Sequence, residues 1–329
     1  MSFPVIVLES GKALSMEDLY LSPREEQESI FSQIVEAFNK QKRENEFNRE
    51  VFEMMGINPQ IIKNAFSVRE KWIEDHQDEL TSPDNSVRDA AAKKLVDETV
   101  RALQPIFDDA RFQKENQDYS EALKEDLSPD VWYKLSNESQ RLLTTAQFIF
   151  DQISSKAYSQ INEFSCVCLL ITKALEIETT KRYFDEYIEY LETQETPDNW
   201  PYALRKKDYY GGYTEETIKR EEFTLGTAIH VAGLQNTSTS ECAPTISIKA
   251  NYVFNKFAKY YRNRLYKCQI IPKIEQKIID DCHFIETVRI NYRNPAAHKD
   301  IIGIDVAKQC IDYVLTDNNL RNMIKDLEL

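Results

Sequence analysis

Glycine is scarce in this chain, with seven among 329 residues. Turn-rich β architectures and the glycine loops that cradle nucleotide phosphates both depend on it, so an all-α fold is expected. Neither a Walker loop nor a Gly-x-Gly-x-x-Gly fingerprint is present. Histidine is scarcer, with four, and no pair stands at the spacing of a His-Glu-x-x-His metalloprotease. Cysteine occurs six times but is scattered. Cys166 and Cys168 alone lie close together, without the second pair that zinc spacing requires, so no metal and no cofactor is expected. Long apolar runs are missing. Val167 to Ile171 is far too short to span a bilayer, and Pro4 to Leu8 has neither the basic leader nor the length of a signal peptide. These features give the expectation of a cytoplasmic protein with reduced thiols and no membrane association. Positive charge is also short. Forty-one Lys and Arg face fifty-five Asp and Glu, a formal net charge of −14, which argues against a general nucleic-acid coat protein.

What is present is mostly helical periodicity. Val5 to Leu8 reads as a short strand or a packed arm. Apolar spacing then predicts helices from about Pro23 to Met55, from Asn58-Pro59 toward Leu80, and from Ser86 to Phe112 with a kink at Pro105. This first third is acidic outside its apolar stripes and carries nothing of catalytic appearance. Residues 113–128 are polar and charged and mark the expected boundary. The expected organisation is therefore an acidic helical subdomain over 1–125, regulatory or protein-binding, followed by a helical domain over 126–329. Ser128-Pro129-Asp130 opens the second set. Trp132 to about Ser155 forms one amphipathic helix, and the most apolar helix of the chain starts near Asn162. Residues 193–213 read as an inserted loop. There Arg205, Lys206 and Lys207 with nearby tyrosines either touch RNA or pack back onto the surface. A helix is expected from Thr214 to Leu234.

From Lys249 to Lys267 there are six basic residues and no acid. Residues 245–329 hold fourteen basic and ten acidic residues, a balance of +4 that leaves −18 on the rest. Lys256, Lys259, Arg262, Arg264 and Lys267 are candidate RNA-backbone ligands, with Tyr261 a candidate base-stacking ring. The other reading of this segment is an amphipathic helix whose aromatic side chains are core.

The segment Tyr292-Arg293-Asn294-Pro295-Ala296-Ala297-His298-Lys299-Asp300 closes a long amphipathic run that begins near Lys273. Asn294 reads as an N-cap and Pro295 as a first helical position, so a kink or restart is expected there. Arg is always charged and grips phosphate oxygens, while His titrates near neutral pH and gives or takes a proton. Four residues separate Arg293 from His298, so a phosphate held by one and protonated by the other describes metal-independent RNA cleavage. Glu286 lies two helical turns before Arg293 and would hold Arg293 or His298 in orientation. Arg289 stands between as a neighbour of Arg293 or a partner of Glu286. Asn294 contacts the scissile phosphate or merely caps its helix.

Arg293-Asn294-Pro295-Ala296-Ala297-His298 resembles the Arg-x-x-x-x-His motif of HEPN domains. The likeness extends over the last two hundred residues or so, where a pair of long helices is similar to the family's opening hairpin. The resemblance implies an all-helical bundle and a ribonuclease of a prokaryotic defence or toxin system, acting on single-stranded RNA or tRNA. It also implies that two motifs meet across a two-fold axis, in a homodimer or with a partner HEPN chain. The alternative is a non-catalytic HEPN-like subunit that binds RNA, nucleotide or protein. The chain departs from one branch of the family at Asp300, where a tyrosine often follows the histidine by two residues.

Overall fold

The computed structural model describes residues 5–7, 13–15, 59–107, 110–155, 164–194, 199–207, 212–238, 243–265, 271–297 and 301–325. The chain separates into two compact units, 1–59 and 60–329. In the first, β1 (Val5–Val7) pairs antiparallel with β2 (Ala13–Ser15), placing Ile6 opposite Leu14. The helix expected from Pro23 to Met55 lies outside the described residues.

Helices dominate the second unit. They are α1 (Pro59–Asp75), α2 (Gln77–Leu80), α3 (Asn85–Phe107), α4 (Ala110–Leu127), α5 (Pro129–Trp132), α6 (Asn137–Ser155) and α7 (Ser165–Thr180). A π turn at Lys181–Asp185 leads into α8 (Glu186–Gln194). There follow β3 (Arg205–Lys207), β4 (Tyr213–Thr217), α9 (Leu225–Val231), β5 (Leu234–Asn236), β6 (Ile246–Ile248) and α10 (Asn251–Arg264). The chain ends with α11 (Ile271–Val288), a π turn at Arg289–Arg293, α12 (Asn294–Ala297), α13 (Ile304–Ile311), a π turn at Asp312–Thr316 and α14 (Asn319–Ile324). No helix among the described residues is long and apolar enough to cross a membrane.

The organising element is α7. Its sequence is predominantly apolar and every residue but Lys173 and Ile177 is buried, so it must be surrounded. It is: α6 lies along it, and α3, α9, α13, α12 and the Arg289–Arg293 turn pack on its other sides. Val167, Leu169, Leu170 and Ile171 are fully buried, each contributing about 1.5–3 kcal/mol of transfer free energy. Its two buried acids are matched, since Glu178 accepts the Ser136 N–H at 2.8 Å and pairs with Arg182, and Glu176 pairs with Lys173 at 2.9 Å. Gly233 has φ +74, and a Cβ there would fall 2.4 Å from the Phe254 nitrogen. That left-handed residue lets the chain turn from α9 into β5 beneath the start of α10.

Several sequence expectations are corrected. Residues 113–128 are no boundary, because 113–127 lie within α4, where Leu123 and Leu127 are buried among the described residues. The compact division falls after Pro59, and helices α1 to α4 belong to the same unit as the Arg293 motif. The 193–213 segment contains β3, which pairs with β4 in a bulged antiparallel ribbon. The helix expected over Thr214–Leu234 is β4, a 3-10 turn at Arg220–Glu222 and the short α9. That helix starts where Thr224 Oγ1 accepts the Thr227 N–H at 3.2 Å, a side-chain N-cap.

Candidate functional site around Arg293

The helix carrying the motif does not restart at Asn294. Val288 leads directly into the π turn, and Asn294 has φ −63 and ψ −51, a helical conformation rather than that of an N-cap. Pro295 brings no N–H to the helix ladder, and widening the preceding turn by one residue is one way a helix carries a proline through. The same turn changes the facing of side chains on either side of it. Glu286, two turns before Arg293, therefore does not hold Arg293. It grips Arg289, accepting Nε on Oε2 and Nη2 on Oε1, both at 2.7 Å. Asn236 at the end of β5 donates to the same Oε1 at 3.3 Å.

The partner of Arg293 comes from α3. Asp89 Oδ1 accepts Nη2 of Arg293 and, at 3.0 Å, Nη1 of Arg289. All four charged groups are buried or nearly so, with Arg293 2% and Glu286 1% exposed. Two cations and two anions make the cluster neutral. Burial pulls the Arg289 pKa down, but Glu286 and Asp89 outweigh it and hold the guanidinium above its usual range. Arg293 remains incompletely used, because its buried Nε and Nη1 have no acceptor. Space for the Asp89 carboxylate exists because residue 226 is glycine; a Cβ there would lie 1.9 Å from Asp89 Oδ2. One turn along α3, Lys93 donates to the Phe223 carbonyl at 2.6 Å, and burial lowers the pKa of its amine despite nearby Glu176. On the other side of the motif, buried Arg69 of α1 donates Nε to the Ala296 carbonyl at 3.0 Å. That bond satisfies one of the open acceptors at the end of α12.

His298, Lys299 and Asp300 lie outside the described residues, as does Lys267. Asn294 is half-buried beside the cluster's helix. Sequence reasoning missed Asp89 altogether. Its carboxylate sits in a charged helix among many others, and only the fold singles it out.

The proposed RNA-binding helix, α10, divides into two faces. Tyr261 is fully buried and donates its hydroxyl to Asp281 Oδ2 at 2.5 Å, so it is not available to stack on a base. Burial pushes the Asp281 carboxyl up, against the pull of Lys277. Phe254, Phe257 and Tyr260 are buried with it, and the Phe257 ring lies 5.0 Å from both Tyr183 and Tyr187. The core reading of these aromatics is the correct one. Arg264 is ion-paired with Glu186 at 2.8 Å and lies over the Tyr261 ring, so its charge is already matched. Arg262 is half-buried, and Lys259 is exposed. Lys256 donates to the Asn199 carbonyl at 2.7 Å and sits 4.8 Å over the ring of Tyr252. Tyr252, 58% exposed, is the aromatic of this helix that faces water.

A cavity of about 440 Å³ elsewhere is lined by Asp118, Asp126, Asp151 and Asp312 with one cation, Lys308. Its sign opposes RNA binding. Among the described residues no group of His, Cys, Asp and Glu is placed to hold a metal ion. No family model, curated protein or solved structure matches the chain.

Proposed function

We propose that this protein is a metal-independent endoribonuclease of a prokaryotic defence or toxin system, with Arg293 and His298 as its reacting pair. The observation that carries the reading is the state of Arg293. It is a buried, always-charged side chain with two donor nitrogens that no acceptor uses, on a π turn five residues before a histidine. A buried guanidinium with spare donors suits a phosphate oxygen, and π turns recur at functional sites.

In the proposed reaction the RNA 2′-hydroxyl attacks the adjacent phosphorus. The 2′-proton passes to a histidine base, and the 5′-oxygen leaves with a proton from a histidine acid. One motif supplies one histidine, so the pair is completed by a second copy or a partner chain across a two-fold axis. Arg293 stabilises the charge that grows on the non-bridging oxygens. The products are a 2′,3′-cyclic phosphate and a 5′-hydroxyl. Lys256 and Lys259 of α10 hold the RNA backbone.

The test is incubation of the purified chain with labelled single-stranded RNA or tRNA in EDTA, beside His298→Ala. Cleavage by the wild type alone, with cyclic-phosphate ends, supports the reading; cleavage that persists in His298→Ala overturns it.

A second reading is favoured by the ion pair between Arg293 and Asp89. In it the chain is a non-catalytic HEPN-like subunit that binds RNA, nucleotide or protein. RNA bound and left intact by both proteins, with binding lost in Arg293→Ala, selects that reading.

A further inference from the structure

Arg293 has one charged acceptor, and that acceptor is shared. Asp89 Oδ1 takes Nη2 of Arg293 and Nη1 of Arg289 together, while Arg289 is already gripped twice by Glu286. Arg293 therefore meets half of one small anion and keeps Nε and Nη1 unused. A phosphodiester, with two non-bridging oxygens and a full negative charge, would use the donors that this carboxylate leaves idle. It cannot enter while Asp89 is in place, because Arg293 is buried and the cluster is already neutral.

We propose that Asp89 is an internal anion standing where an RNA phosphate binds, a latch that keeps the Arg293 site shut in the free chain. The inference rests on the reading of Arg293 as a phosphate ligand. The latch is built into the fold on three sides. Gly226 provides the space in which the carboxylate sits. Lys93 ties the same face of α3 to the Phe223 carbonyl just ahead of α9. Arg69 fastens α1 to the Ala296 carbonyl at the far end of the motif helix. Phosphate and Asp89 then compete for the same guanidinium. RNA binding requires the carboxylate to turn away or α3 to shift, and a partner that draws α3 outward would switch the site on.

The latch is tested in the full chain with two probes, inorganic phosphate and a labelled single-stranded RNA in EDTA. The variants are Asp89→Ala and the isosteric Asp89→Asn. Binding is measured in a His298→Ala background so that the RNA stays whole. Phosphate is expected to raise the melting temperature of Asp89→Ala, against chloride at equal ionic strength, and to leave the wild type unmoved. RNA affinity is expected to rise by about tenfold or more, and Asp89→Ala/Arg293→Ala is expected to lose both gains. Gly226→Ala provides an independent route, because its Cβ displaces Asp89 without removing the charge, and it too should bind RNA more tightly. Asp89 variants with no phosphate response and RNA affinity at or below wild type overturn the latch. Cleavage is read separately in chains that retain His298. Tighter binding without cleavage rejects the nuclease and keeps the latch; cleavage by wild type with no gain from Asp89→Ala does the reverse.

Discussion

Asp89 on α3 and Arg293 on the π turn form a buried ion pair across 204 positions of sequence. The pair ties α3 to the motif turn. It also makes Arg293 part of a neutral four-charge cluster rather than an open cation. Stability and the proposed chemistry at this point thus draw on the same side chain.

The exposed face of α10 is expected to govern RNA affinity, and its buried face only stability. Lys256→Ala and Lys259→Ala should each flatten the dependence of log affinity on log salt by about 0.7. Tyr252→Ala should weaken binding by about 1–3 kcal/mol if a base stacks on that ring. Tyr261→Phe should leave RNA affinity alone while lowering the melting temperature, because it removes the hydroxyl donated to Asp281. Fluorescence anisotropy across a salt series reads the affinities of all four variants and a thermal melt reads the stability of Tyr261→Phe; unchanged slopes in both lysine variants would reject α10 as the RNA-contacting face.

The Glu178–Arg182 pair predicts a pH dependence. Burial pushes the Glu178 carboxyl up, but the Arg182 charge and the Ser136 N–H outweigh it, so its pKa lies below the ordinary 4.5. A depressed folded pKa contributes stability that is present above the unfolded value and is lost as pH falls through the folded one. Glu178→Gln should cost about 3–5 kcal/mol at neutral pH by leaving Arg182 buried and unpaired. The gap between variant and wild type in urea melts should narrow as pH drops below about 4.5; a gap constant with pH would show that the carboxylate charge is irrelevant.

Leu175→Ala reports on α7 as the core helix. Leu175 is 1% exposed, and its truncation should cost about 2–5 kcal/mol. A loss well under that range in chemical denaturation would mean that α7 is not enclosed as described.

Arg69 links α1 to the end of the motif. Arg69→Met keeps much of the stem but removes the donor to the Ala296 carbonyl, at a cost of about 1–3 kcal/mol for a buried acceptor left unmade. Hydrogen exchange should quicken around 293–297 before it does in α6, and uniform acceleration would argue against a local tie.

The helices were legible in the sequence wherever apolar spacing was regular. The break at 82–84 and the predominantly apolar character of α7 follow from residue type alone, because proline and aspartate favour a turn and a mostly apolar helix must be enclosed. Polar composition was a poorer guide. Residues 113–128 read as a boundary because they are mostly polar and charged, and a partly solvated helix has nearly the composition of a linker. The π turn at Arg289–Arg293 was hidden for another reason, since hydrogen-bond register leaves no mark on a pattern of apolar positions. It is nevertheless what separates Glu286 from Arg293.

The sequence by itself determined a mostly helical chain, a basic aromatic segment within an acidic protein, and an arginine and a histidine at the end of a long amphipathic run. The tertiary structure alone decided which of those charges are spent. It buried Tyr261, paired Arg264 with Glu186 and gave Glu286 to Arg289. It brought Asp89 to Arg293 from a helix whose sequence contains several equivalent acids. Pairing between distant charges depends on how α3, α9 and the Arg289–Arg293 turn pack around α7, and no local pattern of residues encodes that packing.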